Sequence, residues 1–152
     1  MNLISTSRLL KALADDSRLR ILHLLEQEDL SGTDLMEVLN MGQSRVSTHL
    51  NLLKEVGLVT DRREGRRAVY GIAGGPAAAL LAQVMQENQG SPELEADLAG
   101  LETLRAARRE KQRAYFDRVA ASFGEQLLPG RTWEGLARAL LQLAPRGRYP
   151  DL

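Results

Sequence analysis

The chain has 152 residues, of which 43% are hydrophobic, 26% are charged and only 4% are aromatic. This length allows one domain, or one small domain with an appendage, and aliphatic side chains must fill its core. Cysteine is absent and only two histidines occur, which excludes disulfides and thiolate metal sites and disfavours a zinc site. The formal net charge is zero. Coating of nucleic acid through bulk charge is therefore excluded, while a local basic patch stays open.

The N-terminal segment has no apolar core of signal-peptide length before its charges begin. No apolar run reaches the length of a membrane-spanning helix. We therefore expect a cytoplasmic protein without a membrane partner. No Ser-His-Asp, paired-carboxylate or Cys-His arrangement indicates catalysis, so the sequence predicts no enzyme, no cofactor and no metal site.

Three short helices are predicted in the first part of the chain, over residues 6–13, 17–27 and 31–39. Their apolar residues recur at spacings of three and four, which is typical of helices with one buried face. The third helix is predicted to begin at a cap formed by Ser31 or Thr33. The tripeptide Asn40-Met41-Gly42 then predicts a tight turn, with Gly42 available for a positive φ angle.

A stronger helix is predicted over residues 43–56. Its apolar positions follow the spacing i, i+4, i+7 and i+10 and are occupied by Val46, Leu50, Leu53 and Val56. Gly57 is suited to end this helix. A hairpin follows, with one strand opening at residues 58–60, a polar turn that contains Gly65, and a return strand at residues 68–72.

The polar face of the 43–56 helix and the hairpin turn together predict a surface that binds duplex DNA. A helix fits the major groove, where short polar side chains and arginine reach base edges and phosphates. The predicted helix contacts are Gln43, Ser44, Arg45, Ser47, Thr48 and His49, with Asn51 and Lys54 nearer the DNA backbone. The predicted hairpin contacts are Arg62, Arg63, Arg66 and Arg67. Residues 43–70 contain six Lys or Arg and three acids, which gives this segment a net charge of +3.

Each half of this surface alone has a simpler interpretation, because a polar helix face or a basic turn is usually just solvated surface. Their adjacency, the turn before the helix and the three short helices before it favour DNA binding. The order of elements predicts a mainly α fold with a small β-hairpin, namely a winged helix-turn-helix.

The rest of the chain is predicted to be helical. Pro76 suits the first turn of an apolar helix over residues 77–88, and Gly90-Ser91-Pro92 marks a boundary. The predicted domains are therefore a DNA-binding and dimerisation domain, 1–89, and a helical extension, 90–152. The extension comprises a long helix at 93–123, a turn at 128–131, a short helix at 132–143 and an irregular tail.

The second half of the long helix is basic, with six cations and two acids between residues 103 and 118. We favour a solvated face for it. There are two alternatives: this helix is a coiled-coil arm that contacts another protein, or its basic half contacts DNA that flanks the binding site.

Residues 9–72 resemble the ArsR/SmtB family of winged-helix repressors. The family's hallmark before the helix-turn-helix is matched by Ala12, Leu13, Asp15, Arg18, Ile21 and Leu22. Its recognition-helix signature is matched by Ser44, Val46, Ser47, His49, Leu50 and Leu53. The resemblance implies a homodimeric, sequence-specific repressor in which the N-terminal helix and the 77–88 helix pair across the two-fold axis. A helix that merely caps the monomer core is the alternative for 77–88.

The sequence departs from the metal-sensing members of this family. Ser31-Gly32-Thr33 lies where a cysteine pair would be, and the 77–88 helix has no histidine. The expected effector, if one exists, is therefore a small molecule other than a metal. His23 is interpreted as a packed or half-exposed helix residue.

The segment that begins at Tyr115 resembles the one that joins ArsR-type domains to S-adenosylmethionine-dependent methyltransferases in fused regulators. The alternative function is therefore the regulatory half of a truncated fusion that responds to a related metabolite. The glycine-rich loop that would cradle this cofactor is absent from the sequence.

Overall fold

The computed structural model describes residues 1–127 and residue 140. In chain order the elements are α1 (Leu3–Leu13), α2 (Asp16–Gln27), β1 (Leu30–Ser31), α3 (Gly32–Leu39), α4 (Gln43–Glu55), β2 (Val59–Glu64), β3 (Arg67–Ile72), α5 (Pro76–Glu87) and α6 (Pro92–Leu127). The strands form one antiparallel sheet in the order β1-β3-β2. The predicted mainly α fold with a small hairpin is confirmed. The predicted 128–131 turn, 132–143 helix and tail lie outside the described residues, except for residue 140.

The junction between α1 and α2 explains the Asp-x-x-Arg spacing of the sequence. The Asp15 side chain caps α2 by accepting a hydrogen bond from the Arg18 backbone N–H at 3.0 Å. The Arg18 guanidinium reaches back to the end of α1, where it donates to the Ala12 and Lys11 carbonyl oxygens at 2.6 and 3.1 Å. Arg18 therefore supplements the hydrogen bonding at the end of α1, where the Lys11 carbonyl also accepts from the Ala14 backbone N–H at 3.3 Å.

Ser31 begins α3 with a capping box. Its hydroxyl accepts from the Asp34 backbone N–H at 3.2 Å, and the Asp34 carboxylate accepts from the Ser31 N–H at 2.9 Å. The prediction that Gly42 provides a positive φ angle in this turn is wrong. Asn40, at the end of α3, has a φ of 52°, whereas Gly42 has a φ of −71° and caps α4. Asparagine tolerates the left-handed region, so the turn reverses one residue after α3.

The core lies beneath α4 and is almost entirely aliphatic. Val46, Leu50 and Leu53 are buried, whereas Val56 is only partly buried because α4 ends at Glu55. Gly57 follows with a φ of 80°, as expected of a residue that ends a helix. Of the four positions that the apolar spacing predicts to be buried, three are therefore buried.

The hairpin is longer than predicted, and β1 was not predicted. Strands β2 and β3 pair from Val59 with Ile72 to Glu64 with Arg67, around the two-residue turn Gly65-Arg66. Strand β1 pairs Leu30 with Tyr70 and Ser31 with Val69. Two residues cannot show a strand periodicity, and their pairing exists only because the fold brings β3 beside them.

Helix α6 packs onto the core through Leu101 and Leu104, and Leu94 is also buried. Close by, the Arg20 guanidinium donates two hydrogen bonds, both 2.8 Å long, to the buried Asp97 carboxylate. This fork-to-fork geometry joins α2 to α6 and raises the pKa of Arg20.

The chain divides into two compact units, Met1–Ala106 and Ala107–Leu152. The first contains everything from α1 to the first half of α6. In the second, Tyr115 and Phe116 are exposed and their rings meet edge to face, with centroids 5.9 Å apart. The functional division at residue 89 stays a prediction.

Candidate nucleic-acid interface

Helix α4 presents a polar face to solvent. Seven of its eight predicted contact residues are exposed, namely Gln43, Ser44, Arg45, Ser47, Thr48, Asn51 and Lys54. His49 is the exception and is partly buried. The Thr48 hydroxyl donates to the Ser44 carbonyl at 2.8 Å, so its proton is engaged within the helix. The face that lies opposite the buried stripe is therefore accessible to a partner along most of its length.

Arg45 is held in place by a residue that the sequence did not single out. Its Nη2 donates to the Ser17 hydroxyl oxygen at 2.7 Å, and Ser17 is itself buried in the first turn of α2. Only one of the five guanidinium N–H groups is needed for this bond. The others can meet phosphate or base edges from a side chain whose orientation is already restricted.

His49 faces the same helix junction. Its partial burial lowers the pKa of the imidazole, the neighbouring Arg18 and Arg45 lower it further, and Asp15 opposes them. The ring is therefore neutral at pH 7. It can act there as a hydrogen-bonding group but not as a cation.

The four arginines of the hairpin have different surroundings. Arg63 and Arg66 lie at the tip, where Arg63 Nη1 donates to the Arg66 carbonyl at 3.3 Å. Within the part of the chain that the structure describes, the Arg66 side chain has no hydrogen bond or ion pair. Gly65, with a φ of 65°, provides the backbone conformation that this tight turn requires. The tip therefore presents two cations to solvent.

The other two hairpin arginines fasten the hairpin to the body of the protein. Arg67 Nη2 donates to the Ser31 hydroxyl at 2.7 Å and to both Asp34 carboxylate oxygens at 3.1 and 3.2 Å. Arg62 Nη1 is hydrogen-bonded to the Asp29 carboxylate, and Lys54 Nζ donates to Asp61 at 2.9 Å. These acids were not among the predicted site residues. Their pairings cross between elements, which periodicity along the chain cannot show.

Asp29 also fits closely against the hairpin at Gly71. A Cβ built on Gly71 would lie 2.5 Å from the Asp29 Oδ1 atom. A larger residue at this position would require the Asp29 carboxylate to move from its present place. This close approach places the acid where Arg62 can reach it from β2.

The two predicted halves of the surface meet around one groove of about 400 Å³. Gln43 and Ser47 line it from α4, and Arg66 and Arg67 line it from the hairpin. Residues far apart in the sequence are thus brought to one concave surface with polar and cationic walls. The DNA contacts of the twelve predicted residues stay a prediction.

Among residues 1–127 and residue 140, no group of three or more His, Cys, Asp or Glu side chains could hold a metal ion. Both ring nitrogens of His23 are buried, with no hydrogen-bond partner among the described residues. No helix in the described ranges has the length and apolarity needed to cross a bilayer.

Comparison with known proteins identifies the family. Residues 15–61 match the profile described as "Bacterial regulatory protein, arsR family". The chain is 41% identical over 80 residues to the HTH-type transcriptional regulator NmtR of Mycobacterium tuberculosis, covering 53% of this chain and 67% of NmtR. It is 36% identical over 62 residues to the transcriptional repressor SdpR of Bacillus subtilis, covering 41% of this chain and 69% of SdpR.

Solved structures give the same result for the fold. The homodimeric winged helix-turn-helix DNA-binding domain of Mb0332 from Mycobacterium bovis is 40% identical, with a TM-score of 0.52. That alignment covers 57% of this chain and 82% of the other. Reduced HlyU from Vibrio cholerae is 31% identical, with the same TM-score, and the alignment covers 57% and 90% of the two chains. The predicted winged helix-turn-helix is thus confirmed, and the chain belongs to the arsR family of bacterial regulatory proteins.

Proposed function

We propose that this protein is a dimeric, sequence-specific DNA-binding repressor that reads the major groove with α4 and uses the hairpin as its wing. The groove shared by Gln43, Ser47 and Arg66 is the observation that carries this proposal. It joins a helix of short polar side chains to a cationic tip, which is the combination that base and phosphate contacts need.

Within this proposal the predicted contact residues have two roles. The exposed residues of α4 and the tip residues Arg63 and Arg66 face the DNA. Arg62 and Arg67 act mainly through Asp29 and Asp34, because their guanidinium groups are already hydrogen-bonded to the body of the protein.

Dimerisation is supported by an apolar ridge on α1. Leu3 and Leu10 are 86% and 51% exposed, although leucine is usually buried. They lie at the edge of the α1 face that buries Leu9 and Leu13, where the described residues leave them uncovered. A second copy that covers this ridge, as the resemblance implies, would remove it from water and place two α4 helices on one duplex.

The binding experiment measures fluorescence anisotropy of labelled duplexes from upstream of the gene, with a shuffled duplex of equal composition as reference. Arg45→Ala combined with Arg66→Ala should weaken binding by about a hundredfold, since two charged contacts are lost. Lys111→Ala combined with Arg113→Ala removes the same charge from the second compact unit and is the matched control. Equal affinity for both duplexes, or an unaffected Arg45 and Arg66 double variant, would contradict the proposal.

Repression is proposed because a dimer bound over a promoter excludes polymerase. A reporter behind the upstream region should become more active when the gene is deleted, and lower activity in the deletion strain would indicate an activator instead. Independence from metals, a cytoplasmic location and the absence of enzymatic activity are further parts of this proposal. The regulator-methyltransferase alternative stays open, and its test is whether a glycine-rich cofactor loop is encoded after Leu152.

A further inference from the structure

A second groove, with a volume of about 580 Å³, lies between α1 and the last turn of α4. Its size is within the range of pockets that bind small metabolites. Ile4 and Ala12 line it from α1, and Leu52 and Val56 line it from α4. These side chains provide an apolar wall along which a hydrocarbon or aromatic group could pack.

The rim of this α1–α4 groove is cationic. Arg8, Lys11 and Arg18 line it, against one acid, Glu55, which leaves an excess of two positive charges in a chain whose net charge is zero. Arg18 is used to cap α1. Arg8 and Lys11 are exposed, and within the described part of the chain their side chains have no hydrogen bond or ion pair.

The helix that carries these cations adds to the positive potential. Asn2 and Ser5, at the N-terminal end of α1, line the same groove, and the first turn of α1 contains no acid. Their side chains form a capping box, but no acid offsets the positive end of the helix dipole there. An apolar wall beside two available cations and this helix end is complementary to an organic anion.

The groove lies to one side of the proposed dimer ridge. The groove that Leu3 and Leu10 line shares only Lys11 with it. A partner copy seated on the ridge can therefore leave Arg8 and Leu52 accessible. The groove also joins α1 to the end of α4, so an occupant would touch both the proposed dimer helix and the proposed DNA-reading helix.

We propose that the α1–α4 groove binds a small organic anion with an apolar body, such as a carboxylate, and that this ligand weakens DNA binding. The carboxylate pairs with Arg8 and Lys11, while the apolar body packs on Ile4, Leu52 and Val56. The bound anion adds negative charge beside α4 and fixes its last turn against α1. The second half of this inference rests on the DNA-binding function proposed above, whereas the ligand site does not.

The binding test uses the full chain with 8-anilinonaphthalene-1-sulfonate as a fluorescent apolar anion and octanoate, octanol and octylammonium as competitors. Octanoate should displace the dye at a concentration about tenfold lower than octanol, because it adds charge-assisted hydrogen bonds, and octylammonium should be the weakest. Arg8→Gln combined with Lys11→Gln should weaken octanoate binding by about tenfold or more. Both residues are exposed, so the fold should persist, and circular dichroism checks this.

Lys111→Gln combined with Arg113→Gln is the charge-matched control and should leave octanoate binding unchanged. Equal potency of octanol and octanoate, or an unaffected Arg8 and Lys11 double variant, overturns the site.

In DNA titrations, saturating octanoate should weaken binding of wild type but not of the double variant. The double variant is also titrated with DNA in the absence of octanoate. If its DNA binding is then weaker and less dependent on salt than that of wild type, Arg8 and Lys11 contact phosphate, and the proposal is overturned. Failure of all variants to bind DNA would contradict the DNA-binding function alone, since dye displacement is measured without DNA.

Discussion

Arg66 and Arg67 are adjacent in the sequence but have opposite surroundings. Arg66 lies at the tip of the hairpin, whereas Arg67 is hydrogen-bonded to Ser31 and to the buried Asp34. A basic run in a sequence shows that cations are available. It does not show which of them are already paired, because the acids that pair with them lie on other elements. This is why the sequence predicted the basic hairpin but not its division into contact and anchoring residues.

This difference predicts different salt dependences of DNA binding for two alanine variants. Arg66→Ala removes the phosphate contact proposed for this residue, so the slope of log K against log salt should become about one unit less steep. Arg67→Ala should weaken binding while it keeps the slope, because it loosens the wing without removing a contact. It should also destabilise the fold by about 1 kcal/mol, since Asp34 loses a partner. Anisotropy titrations over a range of salt and urea unfolding measure both effects, and identical slopes for the two variants would contradict this assignment.

His49 predicts a pH dependence of stability. Its pKa is lowered from 6.5 in the folded protein, mainly by burial, so the unfolded chain binds a proton more readily. The stabilisation is complete above 6.5 and is lost as the pH falls from 6.5 through the folded pKa. We expect the free energy of unfolding of wild type to decrease in this window, and His49→Gln to make the decrease smaller. Parallel curves for both proteins in urea titrations would contradict the prediction.

Asp15 acts in a lower range of pH. Burial works against its ionised form, but the hydrogen bond and charge of Arg18 outweigh burial and lower its pKa below 3.8. Its stabilisation is therefore present above 3.8 and is lost only as the pH falls through the folded pKa. The loss attributed to His49 begins at higher pH, so the two contributions can be separated.

At the scale of elements, the local signals of the sequence proved informative where an element depends on its own residues. Apolar spacing and capping residues predicted α2, α3 and α4 to within a residue or two. The turn after α3 was misassigned, because Asn40 and Gly42 can both adopt the required backbone and only the packing of α3 on α4 selects one. Strand β1 depends wholly on a distant partner, which is why no local signal could indicate it.

The apolar ridge on α1 carries the prediction about assembly. Leu3→Glu combined with Leu10→Glu places two charges on a surface that a partner copy would have to bury. The dimer dissociation constant, measured by sedimentation, should rise by at least about a hundredfold. Phe116→Glu combined with Phe123→Glu changes exposed apolar residues of α6 and is the control. Dissociation of the control alone would move the interface to α6 and support the coiled-coil arm instead.

At the scale of the whole molecule, the boundary between the two compact units lies within α6, after Ala106, where the sequence has no glycine or proline. The glycine and proline at residues 90–92 predict a boundary, but beyond it Leu94, Leu101 and Leu104 are buried. Asp97 is also buried there and is paired with Arg20. Helical periodicity showed that these leucines share one face but not what this face would cover.

Two truncations test this arrangement. A chain that ends at Ala106 keeps the first compact unit and should unfold with the same free energy as that unit does in the full protein. A chain that ends at Gln89 loses three buried leucines and should be less stable by roughly 5 kcal/mol. Urea unfolding followed by circular dichroism measures this difference. Equal stability of the two truncated chains would show that the first half of α6 contributes little to the core.

The close fit of Asp29 on Gly71 has a consequence for the history of the family. A methyl group at position 71 would force the Asp29 carboxylate to move and would disturb its pairing with Arg62, while the strand itself remains in place. Positions 29, 62 and 71 should therefore vary together among related chains, with an acid at the first and an arginine at the second mainly where glycine is kept at the third. Chains that replace this glycine would have a less tightly paired cation on the hairpin, which would extend the proposed DNA-binding surface without any change in α4.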